Sequence, residues 1–597
     1  LAAAEPLVAD PIAMSFDAMG RLYVVEMIGY SEHQDANAGR IRLLEDKNRD
    51  GKFEKSSIFA QGLAWPTAVI CYDGGVFVGV TPKILYLKDT NGDGKADINR
   101  TVFEGFGTGR SRLNVQAMFN SFRWGLDNRI HGATSSMGGK VKDGTGKSVS
   151  LSGRNFSFNP RTMELRSEGS SAQHGMSFDD YGRLFICSNS SHIMALMYPS
   201  RYAGRNKHYA MPSQRVGVAV DGGSAPVFRL SPDEPWRIVR TRWRVAKAVR
   251  GPVEGGGRVS GYFTAATGIT IYRGDAYPAE FRGNAFVGDV GGNLVHRKTI
   301  DDRQVVYRAT RADKGTEFFR SRDNWFRPVN FVNAPDGTLY VLDMYRETVE
   351  HPYSIPEDIK KFLYLTSGSD RGRIYRLVSP GMKRKVVPRL GDLSSVELVN
   401  QFASLNITRC GQCVLIPTNP LLQFGAGLSS IADRSDVMLM DSAAGISAQS
   451  ILTLLSAQHV VLVTNPEIAA ITDAYALVKC LASRVGHPSI SIVVNRVVTD
   501  GQGWSTFQKL SDVARRFTHS QLHYLGAIPE EPAVSHQRLN QPPLVVSHPT
   551  CQASRAIRGI RDQLEQLLGP LVVREIAAQE TIENRVREIL GNQHLSR

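Results

Sequence analysis

The chain has 597 residues, 42% hydrophobic and 21% charged, with 71 Lys and Arg against 57 Asp and Glu for a formal charge of +14. That balance fits a folded protein and excludes collagenous, disordered and disulfide-stapled classes. Six cysteines are too sparse for a disulfide framework; Cys410 and Cys413 form a C-x-x-C pair, but Val414 follows in place of His and no second pair exists, which excludes c-type haem attachment and a four-cysteine zinc site.

At the N-terminus, Ala2-Ala3-Ala4 before Glu5 reads as the remnant of a removed leader peptide, a hint of export. No apolar run reaches the length of about 18 residues that a transmembrane helix needs. One pattern then recurs: an apolar residue, a turn former, Gly or Asn, a spacer, and a β-rich run. It appears as SFDAMGRLYVV around Gly20, CYDGGVFVGV around Gly74, WGLDNRIHGA around Asn128, FDDYGRLFIC around Gly182, FRGNAFVGD around Gly283 and APDGTLYVLD around Gly337. The first four turn residues lie 54 apart, as do the last two, and the interval from 182 to 283 is longer by 47. Each copy predicts strand, tight turn, strand. Six copies predict an all-β six-bladed β-propeller over residues 1–380, with the extra residues as an insertion on one face.

Two stretches inside the propeller have oxygen side chains spaced for a hard cation such as calcium, with Gly at the sixth place for the turn. The first is Asp46, Asn48 and Asp50 with Glu54; the second is Asp89, Asn91 and Asp93 with Asp97. Neither has an EF-hand's Glu at the twelfth place, so a bound ion is expected to be structural. The positive charge is local: residues 201–260 hold 12 Lys and Arg against 4 Asp and Glu. Arg240, Arg242 and Arg244 alternate around Trp243 at strand period, which predicts one side of a hairpin in the insertion. An anionic cofactor, substrate or partner is expected there, and nucleic acid is not.

Several segments resemble the glucose/sorbosone dehydrogenase propellers: GITIYRGDAYPAEFRGNAFVGDVGGNLVH from Gly268, WFRPV from Trp325, PDGTLYV from Pro335 and GRIYRL from Gly372. HGMSFDDYGRLF from His174 and DMYRETVEHP from Asp343 are similar to membrane-bound dehydrogenase domains of planctomycete-type bacteria. The resemblance covers about residues 5–380 and implies pyrroloquinoline quinone held over one face, gripped by Arg327 and Arg346 with Asn189 nearby. A His base, His174 or His351, with His192 a further candidate, would take a proton from a sugar or alcohol hydroxyl. The segment Asn114-Val115-Gln116-Ala117 lacks the family's catalytic His, which favours a rival reading as a non-catalytic propeller binding a glycan or a protein.

Beyond a linker at 381–411, continuous apolar runs alternate with helical periodicity. VMLMD ends at Asp441, HVVLVTN at Asn465 and SISIVVN at Asn495, with helices expected over Ile468–Ser483 and Ser505–Phe517. This predicts an α/β unit with a parallel sheet over 412–545, then a helical tail at 546–597. DSAAGI at Asp441, NPE with ITDAY, Asn495-Arg496 and YLGAIP resemble the back half of MinD/ParA ATPases of the FlhG type. The resemblance implies magnesium near Asp441, adenine at Asn495, and a regulator of ATPase type. No G-x-x-x-x-G-K-[ST] occurs in the 597 residues, so the chain is expected not to hydrolyse ATP by itself. The propeller resemblance implies a periplasmic location and the MinD resemblance a cytoplasmic one.

Overall fold

A computed structural model describes residues 1–109, 113–203, 208, 210–379, 381–382, 387, 389–394, 397, 454, 457, 459–485, 489–532 and 543–568. The chain divides into two compact units, Leu1–Ile416 and Pro417–Arg597.

In the first unit six antiparallel sheets follow one another. Blade 1 is Pro11–Phe16, Leu22–Glu26, Gly39–Glu45 and Lys55–Leu63. Blade 2 is Pro66–Tyr72, Gly75–Val80, Lys83–Lys88 and Ile98–Phe106. Blade 3 is Asn120–Trp124, Ile130–Ala133, Arg154–Phe158 and Leu165–Ser170. Blade 4 is Met176–Phe178, Leu184–Ser188, Ser191–Leu196 and Arg215–Gly217. Blade 5 is Ala266–Ile271, Ala285–Asp289, Leu294–Asp301 and Arg308–Arg311. Blade 6 is Pro328–Asn333, Leu339–Asp343 and Arg373–Arg376, completed by Ala3–Ala4. The expected six-bladed propeller is present.

All six sequence repeats fall on the turn between a blade's first and second strands. Gly20, Gly74, Asn128, Gly182, Gly283 and Gly337 have φ between +57° and +80° there, the left-handed region that Gly and Asn enter most cheaply. In blades 1 and 4 the preceding carboxylate locks the turn: Asp17 accepts the Met19 and Arg21 N–H groups, and Asp179 those of Tyr181 and Arg183, all at 2.9 Å.

The strands are apolar on both faces because each blade is sandwiched between two others. Val76 and Val78 pack toward Tyr23, Val25 and Leu43 of blade 1. Phe77, one residue out of phase, packs toward Phe122, Phe156 and Phe158 of blade 3. Equivalent clusters join blades 3 and 4, 4 and 5, 5 and 6, and 6 and 1. This period-two division is what makes the repeats bury one another.

One sequence expectation is corrected, that of an arginine-faced hairpin in the insertion. Ala3 and Ala4 pair with Ile374 and Arg373 and form the outer strand of blade 6, covering an edge that would otherwise be open. The insertion between blades 4 and 5 carries a helix, Pro235–Val245, and no arginine-faced hairpin. Pro235 suits a helix's first turn, where no N–H is needed, and arginines 240 and 244 lie one turn apart. They are buried at 2% and 7% exposure while Arg242 is exposed. Part of the stretch read as a linker, Leu390–Asp392, is a short turn on blade 1, with Gly391 N–H donating to Ala18 O at 3.1 Å. Blade 2 also gains a hairpin, Gly139–Lys142 and Ser148–Ser150, that pairs with its outer strand.

The second unit holds a parallel sheet in the order Val460–Thr464, Ile490–Val497, Leu522–Pro529. Helices Ile468–Val485 and Asp500–Thr518 connect the strands, and Gln552–Leu568 follows. The expected α/β layout is present. Asp441 with its VMLMD run, the Cys410/Cys413 pair and residues 569–597 of the tail lie outside the described residues. No helix among the described residues is long and apolar enough to cross a membrane.

Candidate functional site

The 54-residue repeat places equivalent residues of the inner strands at one height around the propeller axis. Eight residues before the turn stand Ile12, Asn120, His174 and Val329, and all four line one cavity of about 200 Å³. Five before it stand Ser15, Val69, Arg123, Ser177 and Val332, which line a second cavity of about 40 Å³. Three residues of strand separate the two registers, roughly 10 Å along the axis.

The upper cavity is walled by amide, hydroxyl and apolar groups together. Gln116 Nε2 donates to Tyr30 Oη at 2.9 Å, and Tyr30 Oη donates to Glu350 O at 3.4 Å. Asn120 Nδ2 donates to Met118 O and Gln173 O at 2.9 and 2.8 Å. Asn330 Nδ2 donates to Ile12 O at 3.1 Å. Met27, Val115, Met118, Val290 and Met344 supply the apolar surface. The insertion contributes Arg237 and Glu254, and the loop after blade 6's second strand contributes Glu350.

His174 is the imidazole in this wall. Its backbone carbonyl holds Gly268 N–H at 2.7 Å, which fixes the residue, while no protein group among the described residues hydrogen-bonds its ring. Burial alone pulls it down to about 4, so the ring is a neutral base with a free lone pair at neutral pH. Asn189 lines the same cavity, its N–H donating to Gln173 Oε1 at 3.0 Å.

The other expected site residues are elsewhere. Arg327 is fully buried and engaged: Glu234 at 2.7 Å, Arg346 O at 2.9 Å and Val290 O at 3.1 Å, with Glu347 O also accepting. Arg346 is equally buried in a two-point clamp on Asp10, 2.6 Å on one arm, and donates to Leu365 O. Neither guanidinium lines the cavity. His351 Nδ1 accepts the Tyr353 N–H at 3.1 Å, capping a short turn. His192 Nδ1 bonds Gly223 O at 2.6 Å, and its ring stacks on Phe263 between blades 4 and 5. Neither histidine lines the cavity.

The insertion's arginines are paired too. Arg240 reaches Glu350 at 2.8 Å, Arg244 reaches Ser354 O at 2.9 Å, and both approach Glu254 at 3.7 and 3.8 Å. Arg237 holds Glu234 at 2.8 Å. Burial would raise the Glu234 carboxyl, but Arg327 and Arg237 outweigh it and hold it down to about 2. Every charged group on the upper wall therefore already meets its opposite. A trianionic quinone finds no free guanidinium there, and the residues present do not fit pyrroloquinoline quinone.

Sequence reasoning missed Arg123, Gln116, Asn120 and Glu350. Comparing one register position across the repeats would have exposed Arg123: a charge where blades 1, 2, 4 and 6 have Ser15, Val69, Ser177 and Val332.

Of the cation loops, the first brings ligand atoms of Asp46, Asp50 and Glu54 within 4.8 Å of one another; among the described residues no other group of three does so. In the second, Asp89 and Asn91 accept N–H groups of their own loop, and the Asp97 carboxylate accepts Thr90 N–H and hydroxyl, each at 2.9 Å. In the second unit Asn495 lies half-buried near the end of the middle strand, with Arg496 bridging to Glu530 at 3.0 Å.

Known proteins divide along the same line. In its C-terminal region the chain is similar to antiactivator FleN of Pseudomonas aeruginosa, 33% identical over 137 residues, 23% of this chain and 49% of the relative. The chain spans about half the length of the first curated relatives it matches. The PQQ domain of pyranose dehydrogenase from Coprinopsis cinerea matches at 14% identity and TM-score 0.31, covering 62% of this chain and 95% of that one. The periplasmic gluconolactonase PpgL of Pseudomonas aeruginosa matches at 15% and 0.30, covering 55% and 77%. A family model described as a domain of unknown function, DUF7133, matches residues 1–381, and the chain belongs to that family.

Proposed function

We propose that the propeller binds a sugar or related polyol in its axial cavity, with His174 as the base that accepts a hydroxyl proton. The observation that carries this is the neutral, unpartnered His174 ring in a wall of Gln116, Asn120, Asn189 and Asn330. Amides suit hydroxyls, and Met118 and Val329 suit the C–H faces of a sugar ring. Oxidation of a sugar or alcohol hydroxyl needs such a base for the proton and an added quinone or dye to take the hydride; glycan binding without chemistry needs only the wall. Export of the propeller accompanies this reading.

The test is calorimetry of the full chain against neutral sugars and polyols, with dye reduction measured alongside, with and without added pyrroloquinoline quinone. Binding with dye reduction that His174→Gln abolishes supports the dehydrogenase. Binding without reduction under any condition leaves a glycan-binding propeller, and no binding overturns both.

Calcium is proposed at Asp46, Asp50 and Glu54, carried by the convergence of their carboxylates. For the second unit the likeness to FleN supports a MinD-type regulatory role. ATP turnover and nucleotide binding by the full chain test it, and neither being detectable overturns the nucleotide part.

A further inference from the structure

We propose that Arg123 is an anion subsite at the floor of the axial cavity and that the ligand is a polyhydroxylated carboxylate of about hexose size, a sugar acid. This rests on the axial cavity being the ligand site, as proposed above.

Arg123 sits on the inner strand of blade 3, and its guanidinium donates to Phe122 O at 2.9 Å and to Asn330 Oδ1 at 3.3 Å. Among the described residues no carboxylate forms an ion pair with it, unlike Arg237, Arg240, Arg273, Arg327 and Arg346. Asn330 belongs to the wall of the upper cavity and Arg123 to that of the lower one, and their 3.3 Å bond puts the cation between the two. Burial alone draws it down to about 10, with no neighbouring charge in opposition. A half-buried cation lining a cavity without a counter-charge is costly, and a carboxylate that brings one gains a charge-assisted bond in a setting partly shielded from water.

Size and charge then select the ligand. The lower cavity has room for about three waters and the upper for about fifteen, so a carboxylate fits below and a six-carbon polyol above. One free guanidinium matches one carboxylate. The hydroxyls would meet Gln116, Asn120 and Asn189, within reach of His174.

The experiment is calorimetry of the full chain with gluconate and glucuronate against glucose and sorbitol, in a buffer free of small anions, followed by acetate alone. The acids are expected to bind about tenfold or more tightly than the neutral sugars, and Arg123→Gln to remove that difference while neutral binding persists. Equal binding of acids and neutral sugars by the unaltered chain, which needs no variant, overturns the inference and leaves the sugar site standing. Acetate binding as tightly as gluconate also overturns it, because the hydroxyls then contribute nothing. If neither acids nor neutral sugars bind, the sugar site itself fails.

Discussion

Arg240 and Arg244 on the insertion helix are buried and meet carboxylates, while Arg123 on the blade 3 inner strand is half-buried and meets none among the described residues. The excess of positive charge at 201–260 makes the insertion look like the anion site, yet its buried guanidiniums fasten the helix to Glu350, Glu254 and Ser354. Arg123, which has no carboxylate partner among the described residues, lies in a stretch whose net charge draws no notice. Partnership, and not the count of basic residues, separates a structural arginine from a binding one.

The sharpest way to break that contrast is Glu234→Gln. It leaves Arg327, fully buried, facing a neutral amide and also unpairs Arg237. Removing one partner of a buried pair costs about 3–5 kcal/mol, so the propeller's urea midpoint should fall by a corresponding amount. Arg123→Gln should leave the midpoint within about 1 kcal/mol, since no pair is lost. A pair of equal effects would erase the distinction. Because Glu234 is held down to about 2 in the fold against an ordinary 4.5, the unfolded chain takes up its proton first. The pair's contribution is therefore complete above about pH 4.5 and lost as pH falls toward 2.

The same contrast runs through the acids. Both loops accept N–H groups of their own backbone, but only Asp46, Asp50 and Glu54, among the described residues, bring three ligand atoms within 4.8 Å of one another. Calcium at about a hundred times its dissociation constant should stabilise the propeller by about 2.7 kcal/mol, read as a rise in melting temperature. Asp50→Asn should abolish the rise and Asp93→Asn should not. The reverse would return the site to the second loop.

How much of this was legible in the sequence depends on where the partner lies. The six blades were legible because every turn demands Gly or Asn, a purely local requirement that recurs at 54 residues in four of the five intervals. The closing strand was not, since Ala3 and Ala4 have no side chains to signal pairing with residues near 374. The insertion helix was missed because arginines at 240, 242 and 244 satisfy a strand period and, in part, a helical one. Arg327 and Arg346 match a family motif that specifies identity but not company: Glu234 is 93 residues from the first and Asp10 336 from the second. His174 and Asn189 were named through the family resemblance and line the axial cavity, whereas Arg123, which falls in no motif of that family, was missed although the repeat register places it.

His174 extends the contrast to a neutral group. Its folded value of about 4 lies below the ordinary 6.5, so between those limits the unfolded chain binds the extra proton. Stability should fall as pH drops through that window, by at most about 1.4 kcal/mol per pH unit, and His174→Gln should flatten that part of the curve. Ligand binding that uses the free lone pair should hold from pH 8 to 5 and weaken toward 4. A loss centred near 6.5 would mean that the ring is not shielded.

The smallest effect is expected where pairing occurs in full contact with water. Arg303 and Asp301 form a two-point pair at 2.8 and 2.9 Å on the outer edge of blade 5, with the arginine side chain 86% exposed. Its geometry is as good as that of Arg240 with Glu350, so distance alone would rank the two alike. Water already solvates both groups when they are apart, and salt screens them when they are together. Arg303→Ala should therefore leave the melting temperature unchanged within error, at low and high salt alike, while Arg240→Met should lower it. If the exposed pair proved as costly to break as the buried one, partnership would matter regardless of burial, and the unpartnered Arg123 would lose its claim to be exceptional.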